Sequence, residues 1–182
     1  MAAALLIIDM QKIFLPMTGG PIIPNIQSLV SHFRSHSLPC IFTQHGHTEA
    51  ELIPPFKNQL VRKWGPEGSI KKSTEDWKLI EEIAALVSKS PVVGKNTYDA
   101  FINTNLASIL EELDVERVVV VGVMTDCCCD TTARSAFNRG YETWLVEDAC
   151  GSANKRQHEA GLRGFEFAFG EVVKTQDVLT RI

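Results

Sequence analysis

The chain has 182 residues, of which 45% are hydrophobic and 22% are charged, and its formal net charge at pH 7 is −4. A chain of this length can build one domain with a substantial core, and we expect a single domain over residues 1–182. The acidic balance offers no basic surface to a polyanion, so nucleic acid is not an expected partner.

The apolar start of the chain and its cysteines bear on compartment. Residues 1–10 lack a basic segment, include an acid at Asp9 and are too short to span a bilayer, which argues against a targeting signal or a membrane partner. The five cysteines are Cys40, Cys127, Cys128, Cys129 and Cys150. An odd number with three in a row is not the disulfide framework of a secreted domain, so we expect a cytoplasmic protein.

Short apolar runs alternate along the chain with longer segments whose apolar residues recur at helical spacing. The runs predict six strands, at Ala3–Ile8, Pro39–Thr43, Pro91–Lys95, Val118–Val121, Thr143–Val146 and Val172–Lys174. The helical spacing predicts helices at Asn25–His36, Thr74–Val87, Asn103–Leu113, Thr125–Arg139 and Lys155–Phe169, with one turn near Pro55–Leu60. This alternation indicates an α/β fold with three α/β/α layers and a doubly wound, mostly parallel six-stranded sheet.

Two further features bear on ligands. Residues 49–73 carry several prolines and glycines with little periodicity, and we expect an irregular segment that covers a site or a partner surface. No Gly-x-Gly-x-x-Gly motif follows any predicted strand, which excludes a dinucleotide-binding domain of the usual kind. We expect no cofactor.

Reactive or charged side chains follow three of the predicted strands. Asp9 follows the first strand, Lys95 ends another, and the cysteines at 127–129 lie at a turn from strand to helix. Because carboxyl ends of parallel strands meet at one edge of a sheet, we expect these groups to converge. A nearby cation and a helix N-terminus favour a thiolate, and a carboxylate can take the thiol proton. The residues alone predict a cysteine nucleophile without selecting one of the three thiols.

Three sequence motifs bear on which of the three thiols is the nucleophile. They are Leu-Ile-Ile-Asp-Met-Gln at Leu6–Gln11, Gly-Lys-Asn-Thr-Tyr-Asp-Ala-Phe at Gly94–Phe101, and Gly-Val-Met-Thr-Asp-Cys-Cys-Cys at Gly122–Cys129. By these motifs and their order the chain resembles the isochorismatase-like cysteine hydrolase family. That family includes nicotinamidases, N-carbamoylsarcosine amidohydrolases, ureidoacrylate and biuret amidohydrolases, and isochorismatases.

The resemblance implies a role for each matching residue. Asp9 matches the general base, Lys95 the lysine that stabilises the thiolate, and Cys128 the nucleophile. It also implies a cis peptide bond between Val123 and Met124, with the backbone amides of Met124 and Cys128 forming an oxyanion hole. The family commonly assembles into homo-oligomers, and we expect one.

Substrate contacts are predicted from position. Aromatic side chains in loops near strand ends often line small-molecule sites, which indicates Phe14, Trp64 and Tyr98. Thr125, at the turn that carries the cysteines, is the fourth expected contact.

The histidines depart from the nicotinamidase pattern. Those enzymes hold a metal through an Asp-x-His pair after the second strand and a further histidine downstream. In this chain His45 takes the aspartate position, His47 follows, and no histidine lies between His47 and His158. We therefore expect no metal, which also argues against nicotinamide as the substrate. The pair is expected to shape the pocket or an interface.

The function predicted from these features is hydrolysis of the C–N bond of a small amide through a thioester on Cys128. One alternative is hydrolysis of the vinyl ether of isochorismate, for which Asp9 and Lys95 could suffice without a covalent step. An alternative of another class is a non-catalytic module whose cysteines sense oxidants or bind a partner.

Overall fold

The order of the strands determines where the carboxyl ends of the sheet meet. In the computed structural model, which describes residues 2–182, the six strands are β1 (Ala3–Ile8), β2 (Cys40–His45), β3 (Val92–Lys95), β4 (Arg117–Val123), β5 (Glu142–Gly151) and β6 (Glu171–Val173). Their hydrogen-bonded order is β3-β2-β1-β4-β5-β6, and every neighbouring pair is parallel. The predicted doubly wound α/β fold is confirmed, and the direction of winding reverses between β1 and β4.

Helices cover both faces of the sheet. They are α1 (Ile22–Ser35), α2 (Gln59–Trp64), α3 (Glu81–Val87), α4 (Leu106–Glu112), α5 (Asp130–Asn138), α6 (Lys155–Ala168) and α7 (Thr175–Arg181). Apolar residues of α1, α3 and α7 pack in one core cluster, and those of α4, α5 and α6 pack in the other. These are the two outer layers. Within residues 2–182, no helix is long and apolar enough to cross a membrane.

Strand β1 shows why the apolar runs form central strands. Leu5 and Ile7 point to the core under α1, whereas Leu6 and Ile8 point to the opposite core, and all four are almost fully buried. A strand with successive side chains on opposite faces needs apolar residues at every position when helices cover both faces. This burial accounts for the unbroken aliphatic run.

One glycine sets the distance between the two central strands. Gly122 has φ +116°, and a Cβ there would lie 2.2 Å from the carbonyl oxygen of Ile8. Any side chain would therefore force β4 away from the end of β1, the point where Asp9 leaves the sheet.

The predicted helix at Thr74–Val87 is wrong over its first half. Residues 76–80 instead pair with the segment after β1, through hydrogen bonds from the Lys12 amide to the Lys78 carbonyl (2.8 Å) and from the Ile80 amide to the Met10 carbonyl (3.0 Å). Only Glu81–Val87 is helical. Tertiary backbone pairing has displaced the helix that the apolar spacing favoured.

Other boundaries also differ from the sequence prediction. The residues predicted to follow β5 lie inside it, because after an irregularity at Val120–Gly122 it pairs again with β4, at Gly122 with Cys150 and at Val123 with Gly151. Helix α4 begins at Leu106, three residues later than predicted, since Asn103 adopts a positive φ of 55°. The helical turn predicted near Pro55–Leu60 lies later in the chain, as helix α2. Helix α7 was not predicted.

Candidate active site

Three reactive side chains converge where the winding reverses. Asp9 follows β1, Lys95 is the last residue of β3, and Cys128 lies in a π-helical turn, Thr125–Cys129, between β4 and α5. The crevice beyond the carboxyl ends of strands at such a reversal is where open α/β sheets bind ligands. All three residues are buried.

Asp9 is held by the neighbouring strand. Its backbone adopts φ 46°, and its amide donates to Thr43 Oγ1 at 3.1 Å. The same hydroxyl donates to Asp9 Oδ1 at 2.6 Å. Asp9 Oδ2 is left to face Lys95 Nζ at 2.6 Å, with neither side chain exposed to solvent. A single threonine therefore fixes both the backbone and the carboxylate of Asp9.

Lys95 is a buried cation whose charge is balanced by its neighbours. Nζ donates to the Thr97 carbonyl at 2.9 Å and pairs with Asp9. Burial by itself would lower the pKa of Lys95, but the nearby Asp9 carboxylate and Cys128 sulfur outweigh it and raise the pKa above its usual value. The side chain is therefore an ammonium at any physiological pH.

The Cys128 thiol lies within hydrogen-bonding reach of both Asp9 and Lys95. Burial raises its pKa well above the usual value, and Lys95 opposes this effect only in part. The resting side chain is thus a neutral thiol placed beside a carboxylate and an ammonium. It needs a proton acceptor before it can attack.

The turn that carries Cys128 is closed by its own backbone. The Met124 carbonyl accepts from the amides of Cys127 and Cys129, both at 3.1 Å. The peptide bond between Val123 and Met124 is cis. This turn replaces the first part of the helix predicted from Thr125, since regular α-helix begins only at Asp130.

The other two thiols of the run have different surroundings. Cys129 is fully buried in the core cluster under α5, beside Cys150, and its pKa is raised by burial and then by that neighbouring thiol. Cys127 is partly exposed, and burial, followed by Asp126 and Asp130, raises its pKa to about 11. Lys95 is not among the groups that shift the pKa of Cys127.

A cavity of about 220 Å³ opens onto Cys128. Its wall is largely apolar, with Ile13, Phe14, Met17, Leu60, Trp64, Ile70 and Met124, and its polar side chains include Tyr98, His45 and His47. Trp64 Nε1 donates to the Tyr98 hydroxyl at 3.1 Å. Residues 60–70 thus lie over the thiol, where an irregular covering segment was expected.

Of the four residues expected to contact the substrate, three line the cavity and one does not. Phe14, Trp64 and Tyr98 all line the cavity. Thr125 lies outside this lining among the described residues: it is fully buried, and its hydroxyl is 2.8 Å from His158 Nδ1. The Thr125 side chain is thus directed towards α6 and ties down the turn, and its contact with a substrate stays a prediction.

Gln11 is a structural contributor whose role the sequence did not reveal. Its amide is fully buried and bridges two strand ends: Nε2 donates to the His45 carbonyl at 2.9 Å, and Oε1 accepts from the His45 amide at 2.8 Å. Nε2 also donates to the Trp77 carbonyl at 2.7 Å. Its place two residues after Asp9 in the Leu6–Gln11 motif was the only signal of this role.

The two histidines do not form a metal site with their neighbours. Both line the cavity, at 7% and 1% exposure, with ring centroids 5.0 Å apart. Among residues 2–182, no group of three or more His, Cys, Asp or Glu side chains is arranged to hold a metal ion. Lys95 acts on both rings and Lys72 on His47, which would disfavour a cation. The residues present do not fit the metal of nicotinamidases.

A parallel sheet with a thiol, a carboxylate and an ammonium at its switch point is the arrangement of an α/β enzyme. The profile of the Isochorismatase domain matches residues 3–177. The chain therefore belongs to the isochorismatase family, and it is a hydrolase of that family.

Individual proteins resemble it over most of their length. The chain is 38% identical over 172 residues to Nicotinamidase 3 of Arabidopsis thaliana, covering 94% of this chain and 84% of that protein. A cysteine hydrolase from Pseudomonas syringae pv. phaseolicola superposes with a TM-score of 0.86 at 25% identity, covering 98% of this chain and 91% of the other. N-carbamoylsarcosine amidase from Thermoplasma acidophilum gives 0.76 at 25% identity, covering 96% and 97%.

Proposed function

We propose that this protein is a cysteine hydrolase that cleaves the C–N bond of a small-molecule amide through a thioester on Cys128. The observation that carries the proposal is the position of the thiol: it is within hydrogen-bonding reach of a buried carboxylate and a buried ammonium, in the wall of a cavity. The similarity to a nicotinamidase and to an amidase supports the choice of an amide.

The raised pKa of the thiol determines the first step. Because Cys128 rests as a thiol, Asp9 must accept its proton as sulfur attacks the amide carbon. A C–S bond forms, and the carbonyl π electrons move to oxygen. The amides of Met124 and Cys128 donate to this oxyanion, while the Lys95 ammonium offsets the negative charge that gathers at the site.

The intermediate then collapses towards the thioester. Asp9 returns its proton to the leaving nitrogen, the C–N bond breaks, and ammonia or an amine departs. Water enters, and Asp9 takes one of its protons as the oxygen attacks the thioester carbon. Sulfur leaves, the acid is released, and the proton on Asp9 restores the Cys128 thiol.

The cavity limits the size and polarity of the substrate. Its volume of about 220 Å³ is below the roughly 300–1,000 Å³ of pockets that hold drug-sized ligands. Aromatic and aliphatic walls suit a flat, mostly apolar body attached to the scissile amide. Nicotinamide satisfies both conditions and is the first amide to test, although the histidine pattern argued against it.

The test is ammonia release from a panel of small amides by wild-type protein and the Cys128→Ala variant. We expect activity to fall by at least about 10³-fold in the variant, as for other enzymes that lose their nucleophile. Cys127→Ala is the matched control and should retain activity, since that side chain is absent from the cavity wall. Amide hydrolysis by Cys128→Ala, or activity of that variant on isochorismate, would contradict the proposal.

A further inference from the structure

The turn that carries Cys128 is bonded to β5 and α6 through the side chain of Asp126, two residues before the thiol. Ser152, directly after β5, donates through its hydroxyl to Asp126 Oδ1. Gln157, in the first turn of α6, donates from Nε2 to Asp126 Oδ2 at 2.9 Å. One carboxylate therefore joins the turn, the end of β5 and the start of α6.

The backbone of α6 packs against the same point. A Cβ on Gly161 would lie 2.9 Å from Asp126 Cα and 3.1 Å from the Asp126 amide nitrogen. Only glycine at this position therefore allows α6 to lie so close to the turn. The Thr125 hydroxyl adds a further contact, at 2.8 Å from His158 Nδ1 on the same helix.

The hydrogen bonds within the turn do not by themselves locate the thiol. They run from the amides of Cys127 and Cys129 to the Met124 carbonyl, and so they maintain the shape of the turn. Asp9 and Lys95 come from other strands. The place of the turn relative to these two residues therefore also depends on its contacts with neighbouring segments.

Asp126 and its two partners lie outside the candidate substrate cavity. Within residues 2–182, the side chains that line the cavity beside Cys128 do not include Asp126, Ser152 or Gln157. The contacts of Asp126 with these two partners are made away from the space that a substrate would occupy. Changing them should reach the reaction through the position of the thiol and not through contact with the substrate.

We propose that Asp126 is a positioning residue that, through Ser152 and Gln157, holds the turn and the Cys128 thiol in place beside Asp9 and Lys95. The inference rests on the proposed thioester chemistry and adds to it a residue outside the cavity. Attack and proton transfer depend steeply on geometry, and a misplacement of about 1 Å can cost about 10²-fold in rate. A turn that has lost these bonds should slow the chemistry and leave substrate binding almost unchanged.

The contact between Asp126 and Gln157 allows a test in which donor and acceptor exchange places. Asp126→Asn keeps an acceptor oxygen for Ser152 but directs an amide donor at the amide donor of Gln157. Gln157→Glu directs one carboxylate at another. The double variant again pairs one donor with one acceptor, and it keeps the combined charge of the two positions.

The measurement is kcat and KM for ammonia release, with whichever of nicotinamide, benzamide and acetamide the wild-type protein hydrolyses fastest. The variants are the two single exchanges, the double exchange and Asp126→Ala, which removes both acceptor oxygens. Asn154→Ala is the matched control, because Asn154 Oδ1 caps α6 by accepting from the Gln157 amide at 3.0 Å. Its loss weakens the same helix without removing either bond to Asp126.

We expect kcat of Asp126→Ala to fall by about tenfold or more, with KM within about threefold of wild type. Each single exchange should lower kcat by about threefold or more, and the double exchange should return it to within about twofold of wild type. Asn154→Ala should keep the wild-type kcat while its melting temperature falls by roughly 2–4 °C. Thermal melting of every variant allows kcat to be expressed per folded molecule, which separates misplacement of the thiol from loss of folded protein.

Two kinds of failure are distinguishable. The positioning inference is overturned, and the proposed function stands, if wild type hydrolyses an amide but Asp126→Ala keeps its kcat. The same conclusion follows if the double exchange is no more active than the single ones, or if Asn154→Ala loses as much kcat as Asp126→Ala. If wild type releases ammonia from none of the three amides, nor from any other small amide of the panel, the proposed function fails, and the inference that rests on it fails too.

Discussion

The Lys95 ammonium lies 2.6 Å from the Asp9 carboxylate, and neither side chain is exposed to solvent. The two residues come from β3 and from the end of β1, with β2 between them in the sheet. The Thr43 hydroxyl, on β2, donates a hydrogen bond to the same carboxylate. This buried pair holds a carboxylate and an ammonium beside Cys128 before any substrate arrives.

Removing one member of this pair should cost both stability and activity. Asp9→Asn leaves the buried Lys95 ammonium without its counter-charge, and Lys95→Met leaves the buried Asp9 carboxylate without its own. We expect each change to reduce the free energy of unfolding by about 3–5 kcal/mol. The double variant removes both charges and should recover most of that stability. All three should be inactive. Urea denaturation and ammonia release measure the two effects, and a double variant as unstable as the sum of the singles would contradict this interpretation.

Gly122→Ala should separate the two central strands. The added Cβ would lie 2.2 Å from the Ile8 carbonyl oxygen, at φ +116°. We expect a loss of about 2–4 kcal/mol in unfolding free energy, together with reduced activity as Asp9 shifts. Gly94→Ala is the matched strand control: no atom lies within 4 Å of its added Cβ, so its stability should change by less than about 0.5 kcal/mol. Equal effects of the two changes would contradict the packing argument.

His45 should make the protein less stable in mild acid. Its pKa is about 4 when folded, against 6.5 for an ordinary histidine, because of burial and then Lys95. The stabilisation is fully present above pH 6.5 and is lost as pH falls towards 4, where the unfolded chain binds a proton that the folded chain does not. The loss is about 3 kcal/mol, at roughly 1.4 kcal/mol per pH unit.

The measurement is the free energy of unfolding as a function of pH, compared between wild type and His45→Asn. Carboxylates titrate in both proteins, so the difference between the two curves isolates the histidine. Parallel curves from pH 7 to 4 would show that His45 is not held neutral by its surroundings.

Replacing Gln11 should reduce the stability of the protein. Gln11→Leu leaves the buried His45 amide and carbonyl without partners, and we expect a loss of about 2–5 kcal/mol in stability. Gln44→Leu is a smaller test at a neighbouring position, since Gln44 Nε2 makes one bond, to the Trp77 carbonyl at 2.9 Å. That change should cost about 1 kcal/mol. Similar losses for both would argue against the bridging role of Gln11.

The sequence predicted the sheet well because each central strand is buried on both faces. An unbroken aliphatic run such as Val118–Val121 has few alternatives to a central strand, and a polar residue that directly follows such a run must lie at the edge of the sheet. For that reason the amino-acid sequence by itself predicts Asp9 close to the cysteine turn, whereas Lys95 ends β3, an edge strand with alternating exposure whose place in the sheet this pattern does not give.

The parts that were missed depend on contacts between distant segments. The apolar spacing of residues 74–80 favours a helix, yet their backbone pairs with the segment after β1, which no local pattern encodes. Leu60 and Ile70 line the cavity because an aperiodic segment folds over Cys128. The direction of the Thr125 hydroxyl towards His158 likewise depends on where α6 packs.

The most direct test of the proposed chemistry is to look for the acyl group on the protein. Wild-type protein mixed rapidly with an amide that it hydrolyses, then quenched in acid, should give a peptide carrying the acyl mass on Cys128 in mass spectrometry, and the adduct should disappear as the amide is consumed. Cys127 and Cys129 should remain unmodified. Hydrolysis at full rate with no adduct on Cys128 at any time, and undiminished hydrolysis by Cys128→Ala, would contradict the thioester mechanism.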